Sequence, residues 1–228
     1  MQLNAELAEV VGALLGDGCL SCYFARTEKR WRWEVAFTGS RFDFPYYREF
    51  VSPAFQQNFG VKGRLFIRKS DNSTRFHIAN KRVFEFFQNL GIPVGDKPNS
   101  MAIPPAIMTD KEFRLACVRG IWNTDGSIFR RYTKQFASQK KFYPHYLVMA
   151  LKMNAKPLLE QAKKILVENG IETTRITKSG DAHVLRITKQ ESIQAYLEIV
   201  GFSNKHHLDR LEGFHIRPFK TNATSVLA

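Results

Sequence analysis

Apolar and polar residues along this chain alternate in two regimes, helical and extended, and the order of the regimes repeats. Asn4 stands where an N-cap belongs, and the residues after it predict a helix over about 5–15. Trp31, Trp33, Val35 and Phe37 then alternate with Arg32 and Glu34, the period-two pattern of a half-buried strand. A helix ending near Asn58-Phe59-Gly60 follows. Next come strands near 61–69 and 74–79 around the turn Ser70-Asp71-Asn72-Ser73, and a helix from Arg82 to Leu90. Beyond the turn-rich run Pro93–Ser100 and Pro104-Pro105, Thr109 or Asp110 caps a helix over about 110–122, with Glu112 in its first turn. The series then recurs: a strand near Tyr146–Leu151, a helix over about 155–168 ending at Asn169-Gly170, strands near 171–178 and 182–188 around Ser179-Gly180-Asp181, and a helix from Gln190 to Val200.

The two halves also agree residue by residue. Phe55-Gln56-Gln57-Asn58-Phe59-Gly60-Val61 precedes the first hairpin, and Ile165-Leu166-Val167-Glu168-Asn169-Gly170-Ile171 the second. Phe84–Gly91 is echoed by Ile193–Gly201. Internal repetition at this scale predicts a pseudo-two-fold pair of units built from helices and strands. We divide the chain into a unit over 1–98, a linker over 99–109, a second unit over 110–220 and a tail over 221–228.

Within the repeat, one short pattern occurs twice: Val10-Val11-Gly12-Ala13-Leu14-Leu15-Gly16-Asp17-Gly18 and Val118-Arg119-Gly120-Ile121-Trp122-Asn123-Thr124-Asp125-Gly126. Gly12 and Gly120 sit inside helices, where glycine costs roughly 1 kcal/mol relative to alanine. The missing side chain lets another backbone approach. Gly16 and Thr124 lie four residues on, on the same face. Two helices crossing at these small residues bring Asp17 and Asp125 together at their carboxyl ends. There the helix dipole disfavours an anion, and two anions repel. A hard divalent cation with oxygen ligands relieves both, with backbone carbonyls at Gly16 and Thr124 available to it.

Composition narrows the setting. The chain has 228 residues, is 44% hydrophobic and carries 19 Phe, enough to fold around a sizeable core. No apolar run is long enough to span a bilayer, and Met1–Glu6 lacks the character of a secretory signal, so no membrane association is expected. Three cysteines are too few for a disulfide scaffold. Cys19-x-x-Cys22 is half of a zinc pattern that no later Cys or His pair completes. The net charge of +13 points to a polyanionic partner. Candidate phosphate and base contacts are Arg30, Arg32, Arg41, Lys62, Arg64, Arg68, Lys69, Arg75 and His77 in the first unit. In the second they are Arg130, Arg131, Lys134, Lys140, Lys141, Arg175, Lys178 and Arg186.

The paired motifs resemble those of the LAGLIDADG homing endonucleases, in particular the double-motif, monomeric branch, and the matching architecture covers almost the whole chain. The resemblance implies an α+β fold of two pseudo-symmetric αββαββα units, with motif helices at the interface and antiparallel sheets forming a saddle over DNA. It implies divalent-metal-dependent hydrolysis of both strands of a long, pseudo-palindromic duplex site, leaving four-base 3′ overhangs. The metal would be Mg2+, with Mn2+ or Ca2+ able to occupy the same sites. Asp17 and Asp125 correspond to the metal-binding acidic pair, and Gly12, Gly16, Gly120 and Thr124 to the helix-interface positions. The family's active-site lysines have no clear counterpart; Lys81 and Lys189, after the last strand of each unit, are the candidates. Where the family carries Gln or a basic residue near the end of each unit's first long strand, this chain departs from it with Gly39-Ser40 and Met153-Asn154; a shift would instead implicate Arg41, Lys152 or Lys156. A free, intron-encoded monomer is expected, cytoplasmic in a prokaryotic host or in the matrix of an organelle. An RNA-binding intron maturase and a non-cleaving DNA-binding regulator are the alternatives on the same scaffold.

Overall fold

Local chemistry starts both motif helices as the sequence predicts. Asn4 Oδ1 accepts the Leu7 N–H at 2.8 Å, and Asp110 Oδ1 accepts those of Glu112 and Phe113 at 2.7 and 3.2 Å. The computed structural model describes residues 2–135 and 139–214; the 221–228 tail lies outside the described residues. The first unit runs α1 (Ala5–Gly16), β1 (Gly18–Ala25), β2 (Arg30–Ser40), a 3-10 turn (Arg41–Asp43), α2 (Phe44–Tyr46), a π-helical turn (Tyr47–Val51), α3 (Ser52–Phe59), β3 (Arg64–Arg68), β4 (Ser73–Ala79) and α4 (Lys81–Asn89). The wide turn precedes Pro53, which has no N–H to give to the preceding turn and whose ring crowds the carbonyl there. After α5 (Pro105–Met108), the second unit runs α6 (Lys111–Asp125), β5 (Gly126–Gln135), β6 (Gln139–Met153), α7 (Lys156–Glu168), β7 (Thr177–Ser179), β8 (Ala182–Ile187), α8 (Gln190–Ile199) and α9 (Lys205–Gly213).

Each unit folds its strands into an antiparallel sheet, in the orders β1-β2-β4-β3 and β5-β6-β8-β7. The registers match: Gly18 pairs with Phe37 and Gly126 with Leu151, so each motif passes from helix to strand at the same point of its sheet. One face of each sheet is buried by helices. In the first unit Phe37 and Phe76 meet Phe55 of α3, which in turn meets Phe87 of α4. In the second, Met149, Leu151 and Ile187 belong to the same core as Leu158, Leu159 and Ile193 of α7 and α8. Burying each such side chain contributes about 1.5–3 kcal/mol.

Four features differ from the expectation. β1 and β5 were not legible because each is an edge strand whose apolar positions are broken by Ser21, Cys22, Arg130 and Arg131. β3 is shorter than 61–69: at Gly63 the chain approaches the Phe76 ring so closely that a Cβ would lie 2.2 Å from it. β7 is shorter than 171–178 because the Arg186 N–H turns to the Thr174 hydroxyl at 3.2 Å instead of to a facing carbonyl. And α9 extends the second unit, its Asn204 cap accepting the His206 N–H at 3.0 Å.

The two units meet where α1 crosses α6. A Cβ on Gly12 would lie 2.0 Å from the Cys117 carbonyl oxygen, and one on Gly120 2.0 Å from that of Glu9. Backbone faces backbone at this crossing, so only glycine fits at either position.

Candidate active site at the carboxyl ends of the motif helices

The crossing sets the two motif carboxylates side by side. Beyond Gly12 and Gly120 the helix ends remain close: a Cβ on Gly16 would meet Thr124 Oγ1 at 2.0 Å and Asp125 Oδ2 at 2.5 Å. Thr124 turns its hydroxyl back to the Gly120 and Ile121 carbonyls. Asp17 caps the end of α1 and Asp125 ends α6. Burial, then the charges of Asp125 and Asp43, push the Asp17 carboxyl up to about 7, against the hydrogen bond from Tyr47 and the charge of Lys97. Burial pushes Asp125 up to about 6, and Lys97 opposes it. Asp125 Oδ2 is buried with no hydrogen-bond partner among the described residues, and an unpaired buried carboxylate oxygen is costly.

Three side chains that the sequence did not single out surround the pair. Lys97 Nζ donates to the Leu15 carbonyl at 3.1 Å and to that of Gly16. Burial lowers its pKa, and the charges of Asp125 and Asp17 oppose that shift. Tyr47 donates its hydroxyl to Asp17 Oδ2 at 3.2 Å. Asp43 accepts the Ser40 N–H at 2.7 Å and an Asn204 Nδ2 proton at 2.8 Å. From there a buried polar chain crosses the interface. Asn204 Nδ2 also donates to the Asn123 carbonyl at 2.8 Å, Asn123 Nδ2 to Glu9 Oε1 at 3.0 Å, and Arg119 Nε to Glu9 Oε2. Burial holds Glu9 above the ordinary carboxylate range despite Arg119. A lone lysine in a turn-rich segment leaves no periodic signal. Only Glu9 was detectable, as a charge on the buried face of an apolar helix.

The lysines expected to serve the site lie elsewhere. Lys81 Nζ sits 5.1 Å from the Trp33 ring centroid and pairs with Glu85, and Lys189 pairs with Glu172. The ammonium that faces both carboxylates is that of Lys97.

The donor set suits a hard divalent cation. It offers two close carboxylates, one oxygen of which lacks a partner among the described residues, and the Gly16 carbonyl, which already holds a cationic group. Among the described residues no three His, Cys, Asp or Glu side chains gather into a metal cluster. Carbonyls, water and a substrate phosphate would complete the coordination. Cys19 and Cys22 cannot share an ion, because their odd and even places in β1 point them to opposite faces of the sheet.

The LAGLIDADG-like domain family matches residues 112–201. No individual curated protein matches the sequence. Among solved structures, the chain is similar to I-DmoI in complex with DNA and Mn, at 17% identity over 86% of this chain and 96% of that one, TM-score 0.61. It is also similar to the LAGLIDADG meganuclease I-AabMI bound to uncleaved DNA, at 14% identity over 93% and 89%, TM-score 0.59. Meganuclease I-SmaMI bound to DNA matches at 12% identity over 93% and 88%, TM-score 0.60. Residues 112–201 thus carry a LAGLIDADG-like domain, and the whole chain shares the fold of two-unit LAGLIDADG structures. At these identities the likeness to the solved structures is one of fold.

The two sheets turn a basic face away from their helices. Alternation places Arg30, Arg32, Arg64, Arg68, Arg75 and His77 on that face of the first sheet, opposite Phe37 and Phe76. Arg30 and Arg32 share Glu28, Arg68 is held by Asp71, and Arg64 lies 5.2 Å from the Phe66 ring centroid. Arg41 in the 3-10 turn and Lys69 after β3 are exposed. Lys62 borders α3 beside Arg48 and Gln56, off the basic face. On the second sheet Arg186 pairs with Ala150 on the open face, and Arg131 lies 5.6 Å from the Tyr143 ring centroid.

Two residues expected on that face are not there. Arg130 shares the inner face with Ile128, donates to the Phe214 carbonyl at 2.8 Å and so anchors the end of α9. Lys178 pairs with His183 in the register of Leu185, on the helix side. A strand's period of two decides the face, and the register could not be read without the partner strand. Arg175 is exposed ahead of β7. Lys134, Lys140 and Lys141 lie on the β5–β6 ribbon by backbone, and their side chains fall outside what is described.

The longest described helix, α6, has 15 residues, and no described helix is long and apolar enough to cross a membrane.

Proposed function

We propose that this protein is a site-specific endonuclease that cuts both strands of a duplex DNA with the help of a divalent cation. The observation that carries the reading is the pair of half-buried, like-charged carboxylates, Asp17 and Asp125, held together by a glycine crossing, with Asp125 Oδ2 buried and without a partner among the described residues. Holding two such groups close is costly without a bound cation, so the arrangement is understandable as a ligand pair. Asp17 and Asp125, with the Gly16 and Thr124 carbonyls, are the groups that would hold the metal. When bound, it supplies charge neutralisation and an acidified water.

The protein's own groups do the rest. Tyr47 orients the Asp17 carboxylate through its hydroxyl. The Lys97 ammonium stands at the same place to meet a phosphate oxygen. Arg32, Arg64, Arg68, Arg75 and Arg186 offer a row of cations to the backbone of a duplex lying across the sheets. Mg2+ is the cation we assign, with Mn2+ or Ca2+ able to replace it. The cut is a four-base stagger with 3′ overhangs, the target long and pseudo-palindromic, and the enzyme an intron-encoded monomer acting in a prokaryotic cytoplasm or an organelle matrix.

The test is cleavage of the uninterrupted host-gene junction, cloned as duplex DNA, with Mg2+ and with EDTA. Mg2+-dependent cuts four bases apart on opposite strands are expected. Tight binding without cutting would overturn the reading in favour of a non-cleaving regulator, and stimulation of intron splicing without DNA cutting in favour of a maturase.

A further inference from the structure

We propose that the open face of the second sheet carries an apolar pocket for the C5-methyl group of a thymine in the target, built by Phe129, Tyr146 and Val148. The proposal deepens the reading above and rests on its duplex DNA lying across the sheets.

Alternation decides which side chains face that duplex. Leu147 and Met149 are buried in the core, so Val148 between them and Ala150 beyond point to the open side. Phe129 stands opposite Val148 and shares its face, as Arg186 does opposite Ala150. Phe129, Val148 and Arg186 border a concavity of about 580 Å³ together with Tyr146, Arg131 and Thr188. Within it Val148 is 7% exposed and Tyr146 51% exposed.

Folding does not account for this patch. The helices of the second unit cover the other face of the sheet, where Met149, Leu151 and Ile187 meet them. Apolar groups gathered in an open concavity beside two arginines mark a site for a ligand that is apolar at one point and anionic around it. The major groove of a duplex meets that description wherever a thymine lies, its methyl group projecting between two lines of phosphates.

The corresponding place in the first unit shows what the pocket replaces. Gly18 opposite Phe37 matches Gly126 opposite Leu151. Counting from these pairs, Ser21 is the counterpart of Phe129, Glu34 of Val148 and His77 of Arg186. Glu34 also accepts the Tyr23 hydroxyl proton at 3.0 Å. A hydroxyl, a carboxylate and an imidazole can exchange hydrogen bonds with base edges. The Phe129 and Val148 side chains have none to exchange. They distinguish base pairs only through the one apolar group that the major groove displays, the thymine methyl. Burial of a single methyl group strengthens binding about fourfold.

The experiment measures affinity for the uninterrupted host-gene duplex by gel-shift titration in EDTA, so that no cutting intervenes. Thymine is replaced by deoxyuridine, which lacks only the methyl group, first throughout one half of the target and then throughout the other. Replacement in one half is expected to weaken binding at least about fourfold, and in the other by less than about twofold. Single replacements then locate the thymine. Exchanging its T·A pair for C·G weakens binding, and 5-methylcytosine in place of that cytosine regains about fourfold. Phe129→Ser, which installs the residue of the first unit, and Tyr146→Ser, at an exposed position, each remove the deoxyuridine penalty. Tyr146→Ser decides the matter if Phe129→Ser does not fold. Equal affinity for thymine and deoxyuridine in both halves, or a penalty that Tyr146→Ser leaves undiminished, would overturn the proposal and leave the nuclease reading intact. A deoxyuridine penalty on a target that Mg2+ does not cause to be cut overturns the nuclease reading and leaves the pocket standing. Failure to bind the duplex at all overturns both.

Discussion

Replacing Asp17 by Asn separates stability from activity at this site. Asp17 titrates near 7 where an ordinary aspartate titrates at 3.8. At about 1.4 kcal/mol per tenfold change in proton affinity, keeping it ionised in the metal-free fold costs about 4 kcal/mol. Its folded pKa is raised, so the cost is absent below about pH 4, grows as pH rises toward 7 and is complete above 7. The isosteric Asn carries no charge, and its oxygen can still accept the Tyr47 proton. Part of the repulsion is shared with Asp125, so Asp17→Asn is expected to stabilise the metal-free protein by roughly 2–4 kcal/mol at pH 8 and by little at pH 4. At about 2–4 °C per kcal/mol for a chain of this size, Tm at pH 8 should rise by at least about 4 °C in EDTA. Saturating Mg2+ should close the gap by raising the wild type, since a ligand that binds only the folded state adds stability. Scanning calorimetry at pH 4 and pH 8, with EDTA and with Mg2+, measures all four corners. An unchanged or lower Tm for the variant in EDTA at pH 8 would refute the claim that the site is an electrostatic strain relieved by a cation.

Other consequences follow from the same geometry. Asp17→Asn and Asp125→Asn should each abolish double-strand cleavage while target affinity in a gel-shift titration stays near wild type; full cutting by either would remove the carboxylate pair from the chemistry. Gly120→Ala drives a methyl to 2.0 Å from the Glu9 carbonyl oxygen and must part the helices. A loss of about 1–3 kcal/mol or more in urea denaturation is expected, and an unchanged stability would contradict the close crossing. DNA affinity should fall steeply between 50 and 200 mM salt, and Arg64→Ala or Arg75→Ala should each flatten the log–log slope by about 1. Arg130→Ala should leave that slope unchanged and lower Tm instead, because Arg130 holds the Phe214 carbonyl at the end of α9. Mg2+ affinity should rise with pH through about 6 to 7 as Asp125 and then Asp17 ionise, and calorimetric titration in buffers of different ionisation enthalpy should register the released protons.

The sequence by itself determined the repeat, the longer helices of each unit and the places of the strands β2, β3, β4, β6, β7 and β8, because caps, glycine stops and periodicity are local properties. Asn4, Asp110, Gly60 and Gly170 end or begin helices whatever lies around them. It also singled out Asp17 and Asp125 as a pair, since each motif carries its own glycine and its own carboxylate at fixed spacing. Edge strands β1 and β5 escaped because half-exposed strands need no apolar rhythm. The face on which a basic residue lands depends on register against a distant partner, which is why Arg130 and Lys178 went to the helix side. Lys97, Lys152, Asp43 and Asn204 come from four separate stretches of chain. Only the packing of α1 on α6, with the ends of β2 and β6, the segment after α4 and the start of α9 gathered round them, brings them to one place. Tertiary contact therefore decided which cation serves which carboxylate.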